Sequence, residues 1–326
     1  MYAHAQSPCR IGIAGGGTDL PAWTRERRGY CLTLGIATYT HAVCITRPDR
    51  QVVASYRHLD QASAATEIAN GLIRESALLH GFEDGFEVHT LSEVSSLGSG
   101  LGVSSSIAVC LAAVFQRMVQ MRGGAAAGDS PSKSARIAKD AWTVEISKLR
   151  RPIGRQDHMA AAYGGLRLYA FEGDTACVVT SFEEDDARWV ASHLALVQLP
   201  VGHDSRAILS SATRAAQMQT AYEAVPVARK AIEVRSSRLL GEALDMCQVS
   251  KEQIPGAVTA QVADVVAKVR CCAGVRGCKV AGAGGGGHLV VAVDPGSGTM
   301  DALRAATGLV VLDVAPDFHG VRSEGY

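Results

Sequence analysis

A glycine-rich segment that leads into serines is the clearest chemical signal in the sequence. Alternating glycines are followed by three consecutive serines at the start of an apolar run: Gly98, Gly100, Gly102, Ser104, Ser105 and Ser106. This pattern is typical of a loop entering a helix, with serine as a favoured N-cap. The backbone of such a loop can approach an anion closely, and the start of a helix favours negative charge. We therefore predict a phosphate-binding loop with a serine hydroxyl near a phosphate-bound metal, and close packing is the alternative.

The spacing differs from two widespread phosphate-binding motifs. The serines are not preceded by the glycine and lysine of a P-loop. Near the other end, Gly282, Gly284 and Gly287 formally match Gly-x-Gly-x-x-Gly. A strand pattern at 289–293 follows them, whereas a dinucleotide-binding motif opens a helix, so we reject a dinucleotide-binding interpretation.

Four charged residues could act together with these loops. Arg10 and Asp19 flank a short strand that runs into three consecutive glycines. Asp157 is expected in a turn next to basic residues, where it is either a salt-bridged cap or a base whose charge a cation stabilises. Glu145, near the end of an amphipathic helix, could face the same cavity.

The elements that would position these residues divide into two halves, with domains expected at 1–186 and 187–326. In the first half, strand patterns favour an antiparallel sheet with two strands within 29–45, and an acidic run at 183–186 is expected to form a solvated link. The second half is expected to be an α+β sandwich. Its predicted elements are strands at 194–199, 289–293 and 310–314 and helices near 207–218, 225–248, 256–273 and 298–306.

Composition narrows the functional classes. The 326 residues carry 32 basic and 32 acidic side chains and have no formal net charge. This balance argues against nucleic acid or an anionic membrane as a partner. The apolar run at 107–115 is too short to span a bilayer, and the first residues do not resemble a signal peptide, so we expect a cytoplasmic protein. Buried reduced thiols are expected for five cysteines: Cys9, Cys31, Cys44, Cys110 and Cys177.

The order of three motifs, 10–19, 100–106 and 282–287, resembles that of the GHMP small-molecule kinases. The resemblance implies a two-domain α+β fold, with an N-terminal α/β domain built on a sheet of mixed strands and a C-terminal ferredoxin-like sandwich. The glycines before Asp19, the segment 154–157 and the glycine run 284–287 look most like the D-glycero-D-manno-heptose 7-phosphate kinases. Such enzymes transfer the γ-phosphoryl group of ATP, with Mg²⁺, to the anomeric hydroxyl of a sugar phosphate for surface polysaccharide synthesis.

The resemblance also implies roles for individual residues. Asp157 would be the base, Arg10 would stabilise charge beside it, and Ser104 with Glu145 would hold Mg²⁺. The glycine-serine segment would bind ATP. The expected sugar-binding residues are Asp19, Thr18, Gly16, Gly17, Arg206, Gly284 and Gly285.

Departures from the family pattern leave three questions open. Val103 replaces a common serine, which leaves Ser104 or Ser105 as the metal ligand, and His158 receives no role. Arg206 is the first candidate for the distal phosphate, with other arginines as alternatives: Arg25, Arg27, Arg28, Arg150 and Arg151. A kinase for an unphosphorylated sugar such as fucose or mannose, or a non-catalytic nucleotide-binding protein, are the competing functions, and a homodimer is an open alternative.

Overall fold

The computed structural model describes residues 1–94, 98–123, 131–200, 208, 215–296 and 298–326. Its strands are β1 Tyr2–Ala14, β2 Gly29–Thr46, β3 Val52–Ser55, β4 Leu59–Ala62, β5 Phe86–Ser92, β6 Leu166–Glu172, β7 Thr175–Ser181, β8 Leu194–Gln198, β9 Val275–Val280, β10 His288–Val293, β11 Val311–Asp313 and β12 Arg322–Gly325. Its helices are α1 Pro21–Thr24, α2 Gly71–Leu79, α3 Val103–Met121, α4 Pro131–Trp142, α5 Gln156–Tyr163, α6 Glu184–Ser192, α7 Gln219–Glu233, α8 Ser237–Glu252, α9 Ala260–Arg270 and α10 Thr299–Thr307. A π-helical turn, Thr143–Lys148, continues α4. The expected α+β class is confirmed.

The larger sheet is organised around β1 and β2. Its described strands run in the order β12-β1-β2-β5-β3-β4, with β6 and β7 branching from β2. The first part of β2 pairs with β6 and the second part with β5, while β1 runs antiparallel to both parts. A register shift after Pro8 bends this one long strand, so the expectation of two strands within 29–45 was wrong. Since β3 and β5 are parallel, the sheet is mixed rather than antiparallel.

Helix α3 fills the core beneath this sheet. Its apolar side chains, including Val109 and Phe115, are fully buried against β1, β2 and α2. Among the described residues, α3 is the one helix whose length and apolar composition would suit a membrane span, and 72% of that stretch is buried inside the protein. The burial explains its composition as that of a core helix.

A second, antiparallel sheet has the described order β11-β8-β10-β9. Alternate residues of β8 face opposite sides. Leu196 packs with the layer of α7 and α8, which lies between the two sheets, whereas Val197 packs with α9 and α10. A cavity opens where the layer of α7 and α8 meets the last residues of β1 and β9.

Several element boundaries differ from the sequence expectations. The single helix predicted at 225–248 is two helices, because the chain turns at 234–236, where Arg235 has a φ of +51°. The acidic run at 183–186 begins α6, where acidic side chains suit the positive end of a helix. The expected domain division at 186 lies within this helix, and β12 returns to pair with β1.

The cysteines follow the expectation at four of five positions. Cys9, Cys31, Cys44 and Cys110 are buried, and burial raises the pKa of Cys9, Cys44 and Cys110 to about 12. Cys177 is exposed on β7, where side chains alternate between the two faces of an edge strand, so the expectation of a buried thiol was wrong there.

Candidate active site

A cavity in the described part of the chain has a volume of about 600 Å³. It brings together residues that are far apart in sequence. Four of the expected charged residues line it: Arg10, Asp19, Glu145 and Asp157. Glycines from all three motifs line it as well, among them Gly16, Gly17, Gly98, Gly100, Gly102 and Gly282.

Arg10 and Asp157 form a bidentate ion pair at the centre of the cavity. Arg10 Nε and Nη2 donate to the two carboxylate oxygens of Asp157 at 2.8 and 2.7 Å, and Nη1 donates to the Gly100 carbonyl. The Arg10 side chain is 7% exposed, whereas that of Asp157 is 24% exposed and open to the cavity. The pair therefore offers a fixed, accessible carboxylate next to the glycine-serine loop.

Asp157 lies in the first turn of α5, not in the turn that was expected before that helix. The start of α5 is fixed by Asp19, whose Oδ2 accepts from the backbone N–H of Gln156 at 3.0 Å. Asp19 Oδ1 accepts from the side-chain amide of Gln156 at 2.9 Å. A distant carboxylate thus caps the helix that carries Asp157.

Asp19 is 2% exposed, and this burial raises its pKa to about 6, although the N–H of Gln156 acts in the opposite direction. The carboxylate reaches its position because residue 154 is glycine. A Cβ at Gly154 would lie 1.8 Å from Asp19 Oδ2. Asp19 and Asp157 are therefore held close to each other by the same turn.

Glu145 lies in the π-helical turn after α4 and is 1% exposed. Ser104 Oγ donates to its Oε1 at 2.9 Å, while Ser105 Oγ and His158 Nε2 each lie 2.7 Å from its Oε2. Arg151 also donates to this carboxylate. Burial alone would raise the pKa of Glu145, but the hydrogen bond and charge of His158 and the charge of Arg151 hold it at about 2.

This cluster around Glu145 bears on the choice of serine and on the role of His158. Both Ser104 and Ser105 contact Glu145, so either hydroxyl is placed to act as a metal ligand beside this carboxylate. His158, which had no expected role, is fully buried against Glu145, and its Nδ1 has no partner among the described residues. A histidine one position after Asp157, on an apolar helix, was the sequence signal for this contact.

The donor set at Glu145 fits Mg²⁺. A carboxylate and two hydroxyl oxygens are the hard ligands that this ion takes, and it usually completes its shell with phosphate oxygens and water. The described residues contain no group of three or more His, Cys, Asp or Glu side chains that could hold a metal without such help. These residues therefore fit a metal that arrives with a phosphate ligand.

Helix α3 begins directly above this cluster. Gly102, with a φ of +77°, is its N-cap, rather than one of the serines. The first backbone N–H bonded within this helix is that of Ser106, to Gly102, so the N–H groups of residues 103–105 have no intrahelical acceptor. Free N–H groups at a helix start are suited to phosphate.

The third glycine motif supports the second one. A Cβ at Gly282 would lie 2.7 Å from the Cα of Gly100, so only glycine allows the two loops to touch. Gly282 lines the cavity, but Gly284 and Gly285 pack on the backbone of Ala257. These two glycines, expected at the sugar, are not among the residues that line the cavity.

Two other expected site residues also point into the protein. Ser106, which was expected to bind ATP, lies on the core face of α3 and is therefore fully buried. Its hydroxyl donates to the backbone carbonyl oxygens of Ser7 and Pro8. Thr18, expected at the sugar, is fully buried against the backbone of Gly15 and Tyr30, where its hydroxyl closes the glycine turn.

Arg206 lies outside the described residues. Of its alternatives, Arg151 lines the cavity beside Glu145, whereas the others are not among the lining residues: Arg25, Arg27, Arg28 and Arg150.

Sequence reasoning missed two lysines in the cavity wall. Lys279 on β9 is 4% exposed, and burial lowers its pKa. Lys251 on α8 donates to the Gly282 carbonyl, and burial, with the charge of Lys279, lowers its pKa to about 7. A lysine in the middle of the buried strand Cys278–Val280 was the available signal, since lysine is rarely buried without a reason.

Comparisons with known proteins bear on the fold of the chain. No family model matches the chain. The chain is 26% identical to the D-glycero-alpha-D-manno-heptose 7-phosphate kinase of Campylobacter jejuni, over 94% of each sequence. Its fold matches a D-glycero-D-manno-heptose 1-phosphate kinase from Bacteroides thetaiotaomicron with a TM-score of 0.77, 18% identity and 99% of each chain covered. It also matches Lactococcus lactis galactokinase complexed with galactose, with a TM-score of 0.76, 15% identity and 98% and 95% of the two chains covered.

These matches confirm the resemblance to the GHMP kinases that the three motifs carry. The chain has the fold of these small-molecule kinases over its whole described length.

Proposed function

We propose that the protein is an ATP-dependent kinase that phosphorylates the anomeric hydroxyl of D-glycero-D-manno-heptose 7-phosphate. The product would be heptose 1,7-bisphosphate, a precursor for GDP-heptose and surface polysaccharide. The relative from Campylobacter jejuni carries the name of this activity. The observation that carries the proposal is the bidentate Arg10–Asp157 pair beside the free N–H groups at the start of α3.

This arrangement suits phosphoryl transfer, which depends mainly on positioning and on neutralising charge. The N–H groups of residues 103–105 would bind phosphate oxygens of ATP. Asp157, fixed by Arg10, would orient the anomeric hydroxyl and accept its proton as the new O–P bond forms and the bond to the leaving ADP breaks. Asp19 would accept hydrogen bonds from hydroxyls of the sugar.

Glu145 and either Ser104 or Ser105 would hold Mg²⁺. When bound, the ion would supply positive charge to the phosphates of ATP. His158 and Arg151 keep the Glu145 carboxylate ionised and oriented, as its low pKa indicates. We also carry forward as proposals a cytoplasmic location, a homodimer and a division of the chain near residue 186.

The test is ADP release from Mg-ATP with a panel of acceptors: heptose 7-phosphate, the same heptose without phosphate, fucose and mannose. We expect turnover with heptose 7-phosphate to exceed that with every unphosphorylated sugar by at least about tenfold in kcat/KM, a difference of about 1.4 kcal/mol. Preference for a free sugar would instead support a kinase for an unphosphorylated sugar. Nucleotide binding without ADP release on any acceptor would overturn the kinase proposal.

A further inference from the structure

We propose that Lys251 and Lys279 form the subsite for the distal phosphate of the acceptor, the one that does not react. This inference rests on the proposed function. The two lysines would give the site its selectivity for a phosphorylated sugar. It replaces the expectation that an arginine binds this phosphate first.

The state of Lys279 is the first observation. Its side chain is 4% exposed and lines the cavity, and its Nζ has no hydrogen bond or ion pair with any described residue. The neighbouring residues on its strand, Cys278 and Val280, are fully buried in an apolar core. An ammonium group that reaches the cavity from an otherwise buried side chain, with no partner among the described residues, is placed to bind an anionic ligand.

Lys251 adds a second ammonium group to the same wall. Its Nζ is held by the carbonyl of Gly282 and has no carboxylate within ion-pair distance among the described residues. Both lysines line the same cavity, and the charge of Lys279 contributes to the lowered pKa of Lys251. Two ammonium groups in one cavity wall would be stabilised together by a phosphate dianion, which accepts hydrogen bonds from both.

The location of Lys279 separates this subsite from the nucleotide. Gly12 follows Arg10 by two residues on β1, and therefore lies on the same face of the strand. A Cβ at Gly12 would lie 3.9 Å from Lys279 Nζ and 3.8 Å from Gln156 Oε1. Gln156 is the residue that Asp19 binds, so Lys279 is near the proposed sugar hydroxyl site.

The groups assigned to ATP are different ones. Ser104, Ser105, Arg151 and Glu145 bind one another in a separate cluster at the start of α3. An acceptor whose anomeric hydroxyl meets Asp157 can therefore extend past Asp19 toward the lysines without crossing this cluster.

The experiment compares wild type with Lys279→Met and Lys251→Met. For each, kcat/KM is measured with heptose 7-phosphate and with the same heptose bearing a free C7 hydroxyl, and binding of both sugars without ATP is measured by calorimetry. We expect the preference for the phosphorylated sugar to fall about 10- to 100-fold in each variant, as for loss of a hydrogen bond to a charged group. The KM for ATP should change by less than about twofold.

Two controls accompany these variants. Lys279→Arg keeps the positive charge and should retain more of the preference than Lys279→Met. Lys230→Met removes a lysine that is 60% exposed on α7 and should leave kcat/KM unchanged for both sugars. If Lys279→Met does not fold, Lys251→Met and the calorimetry still decide the question.

An equal loss of kcat/KM for both sugars would overturn the subsite. A rise in the KM for ATP with the sugar preference intact would overturn it as well. The proposed function fails in a different way. If wild type binds heptose 7-phosphate through these lysines but releases no ADP, the subsite stands and the kinase proposal is wrong.

Discussion

Asp19 illustrates how much one buried carboxylate does at this site. It caps α5 through Gln156, lies close to Asp157 and is itself 2% exposed. Burial holds the pKa of Asp19 at about 6, above its ordinary value of 3.8. The protein thus carries a charge at neutral pH that its own packing disfavours, in the position where a sugar hydroxyl would bind.

This raised pKa predicts how stability changes with pH. Because the folded-state pKa of Asp19 lies above the unfolded value, its contribution is fully present below about pH 4 and is lost as pH rises through about 6. In Asp19→Asn this dependence is absent. We expect the free energy of unfolding of the variant, relative to wild type, to increase by roughly 2–3 kcal/mol between pH 4 and pH 8.

Urea unfolding of both proteins at several pH values measures this difference directly. Groups that titrate elsewhere affect both proteins alike and cancel. A difference between the two that stays constant over this range would show that Asp19 has an ordinary pKa.

The chemistry of single residues was predictable where residue type and motif agreed. Arg10 and Asp157 are charged residues near glycines, Glu145 lies near the end of a predicted amphipathic helix, and all three line the cavity. The lysines were missed because each lies within a strand or helix, where the sequence indicates only an interrupted core pattern. Which side of α3 each serine faces depends on the exact start of the helix, and this start is set by Gly102 rather than by a serine.

At the scale of elements, helix α5 is the part that places the base. Its first turn carries Asp157, its start is capped by Asp19 from the turn after β1, and the residue after Asp157, His158, binds Glu145. The turn before it must pass close to Asp19, which is why residue 154 has no side chain. A small movement of this helix would separate the carboxylate from Arg10.

Gly154→Ala tests this positioning. The added Cβ would collide with the Asp19 carboxylate, so the start of α5 must shift. We expect kcat to fall about 10- to 100-fold because misplacement of a catalytic group by about an ångström is costly. ATP affinity should be nearly unchanged. Calorimetry with ATP and steady-state assays on the same preparation separate the two effects.

Gly308→Ala is the matched control. Gly308 ends α10 with a φ of +67° and has open space at the Cβ position, far from the cavity lining. This variant should lose about 1 kcal/mol of stability and keep its turnover. Equal turnover in Gly154→Ala and wild type would show that the turn does not position Asp157.

The type of most elements was predictable, but their limits depended on tertiary contacts. Strands with β-branched residues and helices with apolar faces were recognised, including β10 and α10. The division of 225–248 into two helices was not, because it rests on one left-handed residue, Arg235, followed by the cap Ser236. The short β4 and β12 have few apolar residues and form only by pairing with β3 and β1.

At the scale of the whole molecule, the site exists only because distant segments meet. β1 supplies Arg10, the turn after it supplies Asp19, α3 and α5 supply the phosphate-binding start and the base, and β9 with α8 supplies the lysines. The last strand, β12, returns to β1 at the opposite edge from β2. Neither half of the chain contains the complete constellation, so catalysis requires both to be folded together.

The order of the three glycine motifs was enough to predict this assembly. The contact of Gly100 with Gly282 shows why the motifs occur together, since each loop provides the surface on which the other rests. The mixed pairing of β3 with β5 could not be predicted from the sequence, because alternation within a strand does not show which neighbour it pairs with or in which direction.

The most direct test of the central claim is turnover of Asp157→Asn with Mg-ATP and heptose 7-phosphate, measured as ADP release beside wild type. Asp264→Asn, on the exposed face of α9, is the control for an equivalent change elsewhere and should match wild type. If Asp157 orients the anomeric hydroxyl and accepts its proton, kcat should fall by about 100-fold or more, with ATP binding little changed. Turnover near that of wild type in Asp157→Asn would contradict the account.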